Sequence, residues 1–257
     1  MDGIAELLTQ GTSLSIWVFV ALCGVSFLGS FIAGALGLGG GLLVLATMAM
    51  VLPPAVLIPV HGVVQFGSNF GRMVLLVRQV LYLVLPAFVV GTVIGAAVGA
   101  HVVVSLPKWL LLAVLACFVL YGTWAPGFRS AKPGPAKFFA LGVGSTFVSM
   151  FVGGTGPLIA PFTAAASAHR HQVVATHAML MSIQHGFKVL AFGLIGFAFG
   201  PYIPLLIGLL GFGFLGTYCG RAVLDKLPEH VFRNGLKTIL TLLAFKLFYD
   251  SAQSFIG

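Results

Sequence analysis

Acidic side chains are nearly missing from this chain. Of its 257 residues only five are Asp or Glu, and these are Asp2, Glu6, Asp225, Glu229 and Asp250. All five fall near a terminus or in a loop, so none is placed to neutralise a cation inside an apolar run. Charge of either sign is scarce, at 7% of residues against 59% hydrophobic, and the mean hydropathy is +1.11. That balance excludes a water-soluble globule of this length. Long polar loops are lacking too, the longest running to roughly a dozen residues, which leaves no place for a soluble domain. The apolar runs show neither heptads nor strand alternation. The chain therefore reads as an all-α polytopic membrane protein.

Other absences narrow the function. Cys23, Cys117 and Cys219 are odd in number, widely spaced and set in apolar runs; they read as buried small hydrophobes, with no disulfide or metal implied. No basic stretch precedes the first apolar run, where Asp2 and Glu6 stand instead, so a cleaved signal peptide is not expected. There is no GxGxxG after a strand, no Walker pattern and no HExxH, and hence no cofactor, nucleotide or metal chemistry. The net charge of +8 is not a nucleic-acid footprint. Its Lys and Arg lie mostly in short loops and are not interleaved with exposed aromatics.

What is present is a repeat. Gly37-Leu38-Gly39-Gly40-Gly41 precedes a long segment from Pro59 to Arg78, and Gly153-Gly154-Thr155-Gly156-Pro157 precedes another from Gln172 to Ala198. At a constant offset of 116 (153 − 37), Gly37 falls on Gly153, Gly40 on Gly156, His61 on His177, Asn69 on His185 and Arg72 on Lys188. The register then slips by five, so that Gly95 and Gly99 match Gly216 and Gly220, and Leu106-Pro107 matches Leu227-Pro228. Internal repeats of this span define architecture.

In order, residues 1–15 form an N-terminal lead. The first repeat, 16–124, holds apolar elements at Ile16–Leu36, Leu42–Leu52, Pro59–Arg78, Tyr82–Val104 and Lys108–Trp124. Residues 125–137 form a polar linker with Arg129, Lys132 and Lys137. The second repeat, 138–250, holds Phe138–Val152, Leu158–Ala168, Gln172–Ala198, Tyr202–Val223 and Val231–Tyr249. As a helix, the second piece of each half is only ~17 Å long, against ~30 Å of hydrocarbon. It is either a short buried span or half of a re-entrant hairpin. Placing the N-terminus outside puts Arg78, the linker cations, Arg170, Arg221, Lys226 and Arg233 on the cytoplasmic side, as the positive-inside rule demands. The uncharged Pro53-Pro54 and Gly200-Pro201 loops then lie outside. Five or three crossings per half are both odd numbers, so the second half is expected to be inverted relative to the first.

The long segment of each half carries a polar stripe. On a helix His61, Gln65, Ser68, Asn69 and Arg72 share an arc of about 100°. The counterpart stripe is His177, Gln184, His185 and Lys188, with Met181 at the position of Gln65. A cation in hydrocarbon costs on the order of 2.5–3.5 kcal/mol even on lenient scales, and no carboxylate is available to Arg72 or Lys188. A transported anion would supply the missing charge. Helices restarting at Gly39-Gly40-Gly41 and at Gly154-Thr155-Gly156 turn backbone N–H groups and a positive dipole end toward such an anion. Ser145, Thr146 and Ser149 are further donors. The expected substrate-binding set is thus Arg72, Lys188, His61, Gln65, Asn69, His177, Gln184, His185 and these six break residues. Competing readings exist for each: snorkelling for Arg72 and Lys188, core packing for the histidines, and close helix packing for Gly91, Gly95, Gly99, Gly216 and Gly220.

The Gly-Leu-Gly-Gly-Gly stretch, its repeat at 153–157 and the twice-occurring Gly…Leu-Pro pattern resemble those of the TauE/SafE sulfite-exporter-like family, also called the toluene-sulfonate uptake permeases. The similarity covers about residues 16–250. It implies a secondary transporter, in the export sense of the family name, of sulfite, thiosulfate, sulfoacetate or other organosulfonates. It also implies two inverted repeats in the cytoplasmic (inner) membrane. Leu45-Ala46 stands where the family has a proline after the first glycine cluster, the second copy keeps Pro157 and Pro161, and Thr155 interrupts the second cluster.

The leading reading is an alternating-access anion transporter whose substrate sits between the two glycine breaks, with the histidines available to carry a coupling proton. An anion channel, or a carrier for another small organic anion, fits the same residues. An integral membrane enzyme would need a carboxylate or thiolate beside His177 and His185, and the sequence places none near them. A purely structural protein would have no use for unpaired cations on matched helices. Monomer and homodimer both remain open, as do the identity of the anion, direction and coupling.

Overall fold

In hydrocarbon every backbone N–H and C=O must be bonded within its own segment, so apolar runs of this kind become helices. The computed structural model describes residues 9, 12, 14–36, 40–103, 107–124, 133–223 and 229–256. Among them are ten α-helices and no strand. The first half holds α1 (Ile16–Leu36), α2 (Gly40–Met48), α3 (Pro54–Leu75), α4 (Leu85–Val103) and α5 (Lys108–Trp124). The second half holds α6 (Pro135–Val152), α7 (Gly156–Ala166), α8 (Arg170–Leu194), α9 (Ile203–Val223) and α10 (Glu229–Ile256).

Five stretches are long and apolar enough to cross a membrane: Ile16–Gly34, Tyr82–Val102, Pro135–Val152, Gly200–Gly220 and Lys237–Ile256. The stripe-bearing α3 and α8 have 22 and 25 residues but are less apolar.

Several boundaries move. The helix after the first break starts at Gly40 rather than Leu42 and ends at Met48, with hydrogen-bonded turns from Ala49 to Leu52. Its start is set by contact with α1, because a Cβ on Gly40 would collide with the Gly29 carbonyl oxygen. The next helix begins at Pro54 rather than Pro59. Proline fits the first helical turn, where its missing N–H is not needed, and Pro59 is carried inside the helix. That helix stops at Leu75, short of Arg78, and two 3₁₀ turns, Val77–Gln79 and Tyr82–Val84, lead into α4. The backbone N–H of Leu81 there donates to Thr176 Oγ1 of α8 at 3.0 Å. At the other end α10 runs on to Ile256, beyond the expected Tyr249. The cysteines also differ from expectation. Cys23 is buried, whereas Cys117 and Cys219 are exposed on the outer surface, where an apolar thiol suits a lipid-facing position.

Four helix pairs organise the whole, and side-chain register gives their directions. Along α1 and α9, Phe19 and Cys23 meet Gly208, Phe27 meets Gly216 and Phe31 meets Gly220, so this pair is parallel. Along α4 and α6, Gly91 meets Phe139, Gly95 meets Val143 and Gly99 meets Phe147, again parallel. The α5–α10 pair is antiparallel, with Trp109 against Phe255 and Trp124 Nε1 donating to Thr241 Oγ1. The α3–α8 pair is antiparallel as well, with Gly62 against Lys188 and Phe66 against Gly186.

The glycines expected to be packing faces are such faces. A Cβ on Gly91, Gly95, Gly216 or Gly220 would collide with a facing backbone carbonyl oxygen, the close approach that small residues permit between membrane helices. The main apolar core joins α1, α2, α3, α5, α6, α9 and α10, and a second, smaller one gathers Phe88, Phe138, Ile159, Leu180 and Met181.

Candidate functional site

The polar stripes meet at the α3–α8 contact. His61, Gln65, Asn69, His177, Gln184, His185 and Lys188 are all buried there, and Lys188 is 0% exposed. Arg72 is half-buried. Ser68, although in the same arc on α3, instead faces a cavity of about 500 Å³ between α1, α3 and α9, which Ser30 and Thr217 also line.

His61 stands between the two glycine breaks. Its Nε2 lies 3.2 Å from the Gly41 carbonyl oxygen, and since a carbonyl only accepts, Nε2 carries the proton. On its other side the ring lies against Gly153 and Gly154, where added Cβ atoms would come within 3.3 Å of Nδ1 and 3.4 Å of Cε1. Gly153 ends α6 at φ +82° and ψ −46°, a conformation that glycine adopts without the steric cost of a Cβ. Its carbonyl accepts from Lys188 Nζ. The aliphatic part of Lys188 passes Gly62, where a Cβ would sit 2.8 Å from Cε. A glycine at position 62 makes room for the lysine.

Not every polar side chain of the expected set is free to hold a ligand. Gln184 is engaged at both ends of its amide, donating to Thr155 Oγ1 at 2.6 Å and accepting from Ser145 Oγ at 3.0 Å. It ties the second break to α6. Asn69 accepts from an Arg72 terminal nitrogen at 2.7 Å and donates to the Gln65 carbonyl oxygen at 2.8 Å. The other terminal nitrogen of Arg72 donates to the Ala33 carbonyl oxygen of α1 at 3.1 Å. Its two terminal nitrogens thus fold onto α1 and back onto α3, leaving Nε unpartnered among the described residues. Gln65 packs against Gly41, and His177 lies beside Gly156. Gly40 is taken up by packing on α1, and Gly39 lies outside the described residues.

What remains is a set of buried polar atoms without a hydrogen-bond partner among the described residues. These are His61 Nδ1, His177 Nδ1, both ring nitrogens of His185, Arg72 Nε and Ser149 Oγ, besides Thr217 Oγ1. Buried polar groups are normally paired, and most of the unpaired ones here belong to the two stripes. The rings of His61 and His185 stand edge to face with centroids 6.3 Å apart. Of the three hydroxyls considered as donors, Ser145 and Thr146 are bonded within the protein, to Gln184 and to Thr92, which leaves Ser149.

The two cations are not side by side. Lys188 lies at Gly62 and Arg72 lies ten positions further along α3, roughly 15 Å at the helical rise. Lys188 is within electrostatic reach of His61 and His185, while Arg72 is within reach of His177. Past Arg72, at the end of the helix pair, Gln79, His169, His171 and Gln172 line a polar cavity of about 400 Å³. Sequence reasoning passed over Gly62 and the Gly153 carbonyl. The one available signal was a glycine directly after His61, in a helix that also carries Gly67 and Gly71.

A relative in Haemophilus influenzae described as a probable membrane transporter protein is 24% identical over 269 residues, covering 90% of this chain and 99% of its own length. No solved structure matches the chain. The family model described as sulfite exporter TauE/SafE matches residues 22–247. With most of its length matched by that model, the chain belongs to the TauE/SafE family of multi-pass membrane transporters.

Proposed function

We propose that the chain is a secondary transporter that exports small sulfur-containing oxyanions, such as sulfite, thiosulfate, sulfoacetate or other organosulfonates, by alternating access. One observation carries the reading. Lys188 lies fully buried among unpartnered polar atoms where the glycine breaks converge, Arg72 lies half-buried further along the same helix pair, and neither striped helix carries an Asp or Glu to balance them. A charge held in hydrocarbon without a protein counter-ion is costly. A transported anion offsets that cost while bound. Sulfur oxyanions fit through the family and through the donor set, since three or more oxygens suit imidazole, ammonium, guanidinium and hydroxyl groups converging from several helices.

Alternating access rests on two inverted repeats. Supporting this, helices equivalent in the sequence repeat meet each other as antiparallel pairs, α3 with α8 and α5 with α10. The parallel pairs α1–α9 and α4–α6 exchange places under the same equivalence. The match extends to single contacts, because Phe27 against Gly216 corresponds to Val143 against Gly95. We place the protein in the cytoplasmic (inner) membrane with its N-terminus outside and the 125–137 linker cytoplasmic, from the distribution of cations.

The test is thermal melting of the detergent-purified protein with sulfite, thiosulfate, sulfoacetate, taurine, sulfate, acetate and chloride. A bound ligand raises the melting temperature by mass action, by about 2.7 kcal/mol at a hundredfold excess over Kd. A rise confined to sulfite or the sulfonates and reduced in both Arg72→Ala and Lys188→Ala is the expected result. No rise with any of these anions at concentrations up to 100 mM counts against the reading.

A further inference from the structure

We propose that the α3–α8 contact holds two anion stations rather than one, each a cation facing a histidine of the opposite helix. The inference rests on the transporter reading above and goes beyond it in number and placement. At one station Lys188 of α8 stands with His61 of α3, next to Gly153. At the other, the antiparallel register that sets Gly62 against Lys188 and Phe66 against Gly186 brings Arg72 of α3 toward the His177 end of α8, where His177 lies beside Gly156. The repeat that superimposes Arg72 on Lys188 and His61 on His177 turns one station into the other. An antiparallel helix pair with a cation toward the end of one stripe and a histidine at its start must build such a site twice.

Each station keeps buried polar atoms unpartnered. The Lys188 station has His61 Nδ1 and Ser149 Oγ, the latter on the turn that Gly153 caps; the Arg72 station has Arg72 Nε and His177 Nδ1. The Lys188 ammonium lies at Gly62 and the Arg72 guanidinium at Asn69, roughly 10 Å apart along α3, more than one sulfite-sized anion spans. His185 lies between them. It is within electrostatic reach of both His61 and His177, and neither of its ring nitrogens is bonded among the described residues. An anion leaving one cation would therefore meet a free imidazole before it reaches the other.

The two stations differ in depth. The Arg72 station lies toward the polar cavity of Gln79, His169, His171 and Gln172, and the Lys188 station lies where the glycine breaks meet. A relay of this kind replaces one deep well by two shallower ones, which suits turnover because an anion held too tightly by both cations at once would not leave.

Equilibrium dialysis with radiolabelled sulfite decides the matter. Wild-type protein is expected to bind two sulfites per chain at saturation, with unequal affinities because the second anion is repelled by the first. Arg72→Gln and Lys188→Gln should each retain one, and the double variant none. His61→Ala and His177→Ala, which keep both cations, should each weaken one of the two sites at least tenfold and spare the other, and they serve as the readout if a charge variant fails to fold. One sulfite per wild-type chain, lost on changing either cation, would overturn the two-station proposal and leave the transporter reading standing. Failure of any protein to bind sulfite, thiosulfate or sulfoacetate would overturn both.

Discussion

Lys188 is a primary amine with three donors, 0% exposed, whose one described hydrogen bond goes to a backbone carbonyl. Snorkelling, one reading open to a lysine in an apolar helix, requires the ammonium to reach water, and here it does not. The residue is therefore held at a cost in stability. Replacing it with methionine, of similar length, removes a buried charge worth about 2.5–3.5 kcal/mol and gives up one hydrogen bond worth about 1 kcal/mol. Lys188→Met should melt higher than wild type, by the equivalent of about 1.5–2.5 kcal/mol, while keeping only the part of its stabilisation by sulfite that comes from the Arg72 station. A melt lower than wild type would mean that the ammonium has a partner that stabilises it in the empty protein. His185 poses the same question in neutral form: an imidazole with two unbonded nitrogens is poorly suited to being only a packing element.

At the scale of elements, glycine does two different jobs that a sequence pattern cannot separate. Gly153 ends a helix in a conformation restricted for other residues and aims its carbonyl at Lys188. Gly95 and Gly216, by contrast, are ordinary helical residues whose missing side chains let α4 lie on α6 and α9 lie on α1. A branched side chain at either place meets a backbone oxygen, which cannot swing away as a side chain can. Gly95→Val and Gly216→Val should each destabilise the protein by about 1–3 kcal/mol, in similar measure because the two sites are repeat equivalents. Parallel melting curves of the two variants check this; a large difference would mean that the halves contribute unequally to the fold. Gln184 belongs to this scale too, since its amide joins α8, α6 and the second break through Ser145 and Thr155. Its polarity on a buried face read as that of a ligand-binding residue, and in the structure both ends of its amide are bonded within the protein.

For the whole molecule, the pair directions constrain how the chain threads the membrane. Parallel α1–α9 and α4–α6 with antiparallel α3–α8 and α5–α10 are the relations expected if successive helices alternate direction throughout. They do not depend on which side is outside, and that is assigned by the loop cations. In a variant lacking Cys23, Cys117 and Cys219, a cysteine introduced at Ser130 should react with an impermeant maleimide only after the cells are opened. One at Gly200 should react in intact cells. The reverse pattern would invert the topology while leaving the helix pairing untouched.

The number and order of helices, the polar stripes and the lack of any carboxylate on the two striped helices were determined by the sequence alone, because hydrocarbon leaves an apolar run little choice but to be helical. Ile16–Leu36 and Lys108–Trp124 end where composition ends them. Only the tertiary structure decided which stripe residues keep polar atoms unpartnered and which are spent on the protein itself. A side chain's hydrogen bonds depend on what the partner helix brings opposite it, so Gln184 and His185, adjacent on one face, have opposite fates. The same holds for the cations. The sequence supplied two of them on equivalent helices, and the antiparallel crossing set them apart, each beside the other helix's histidine.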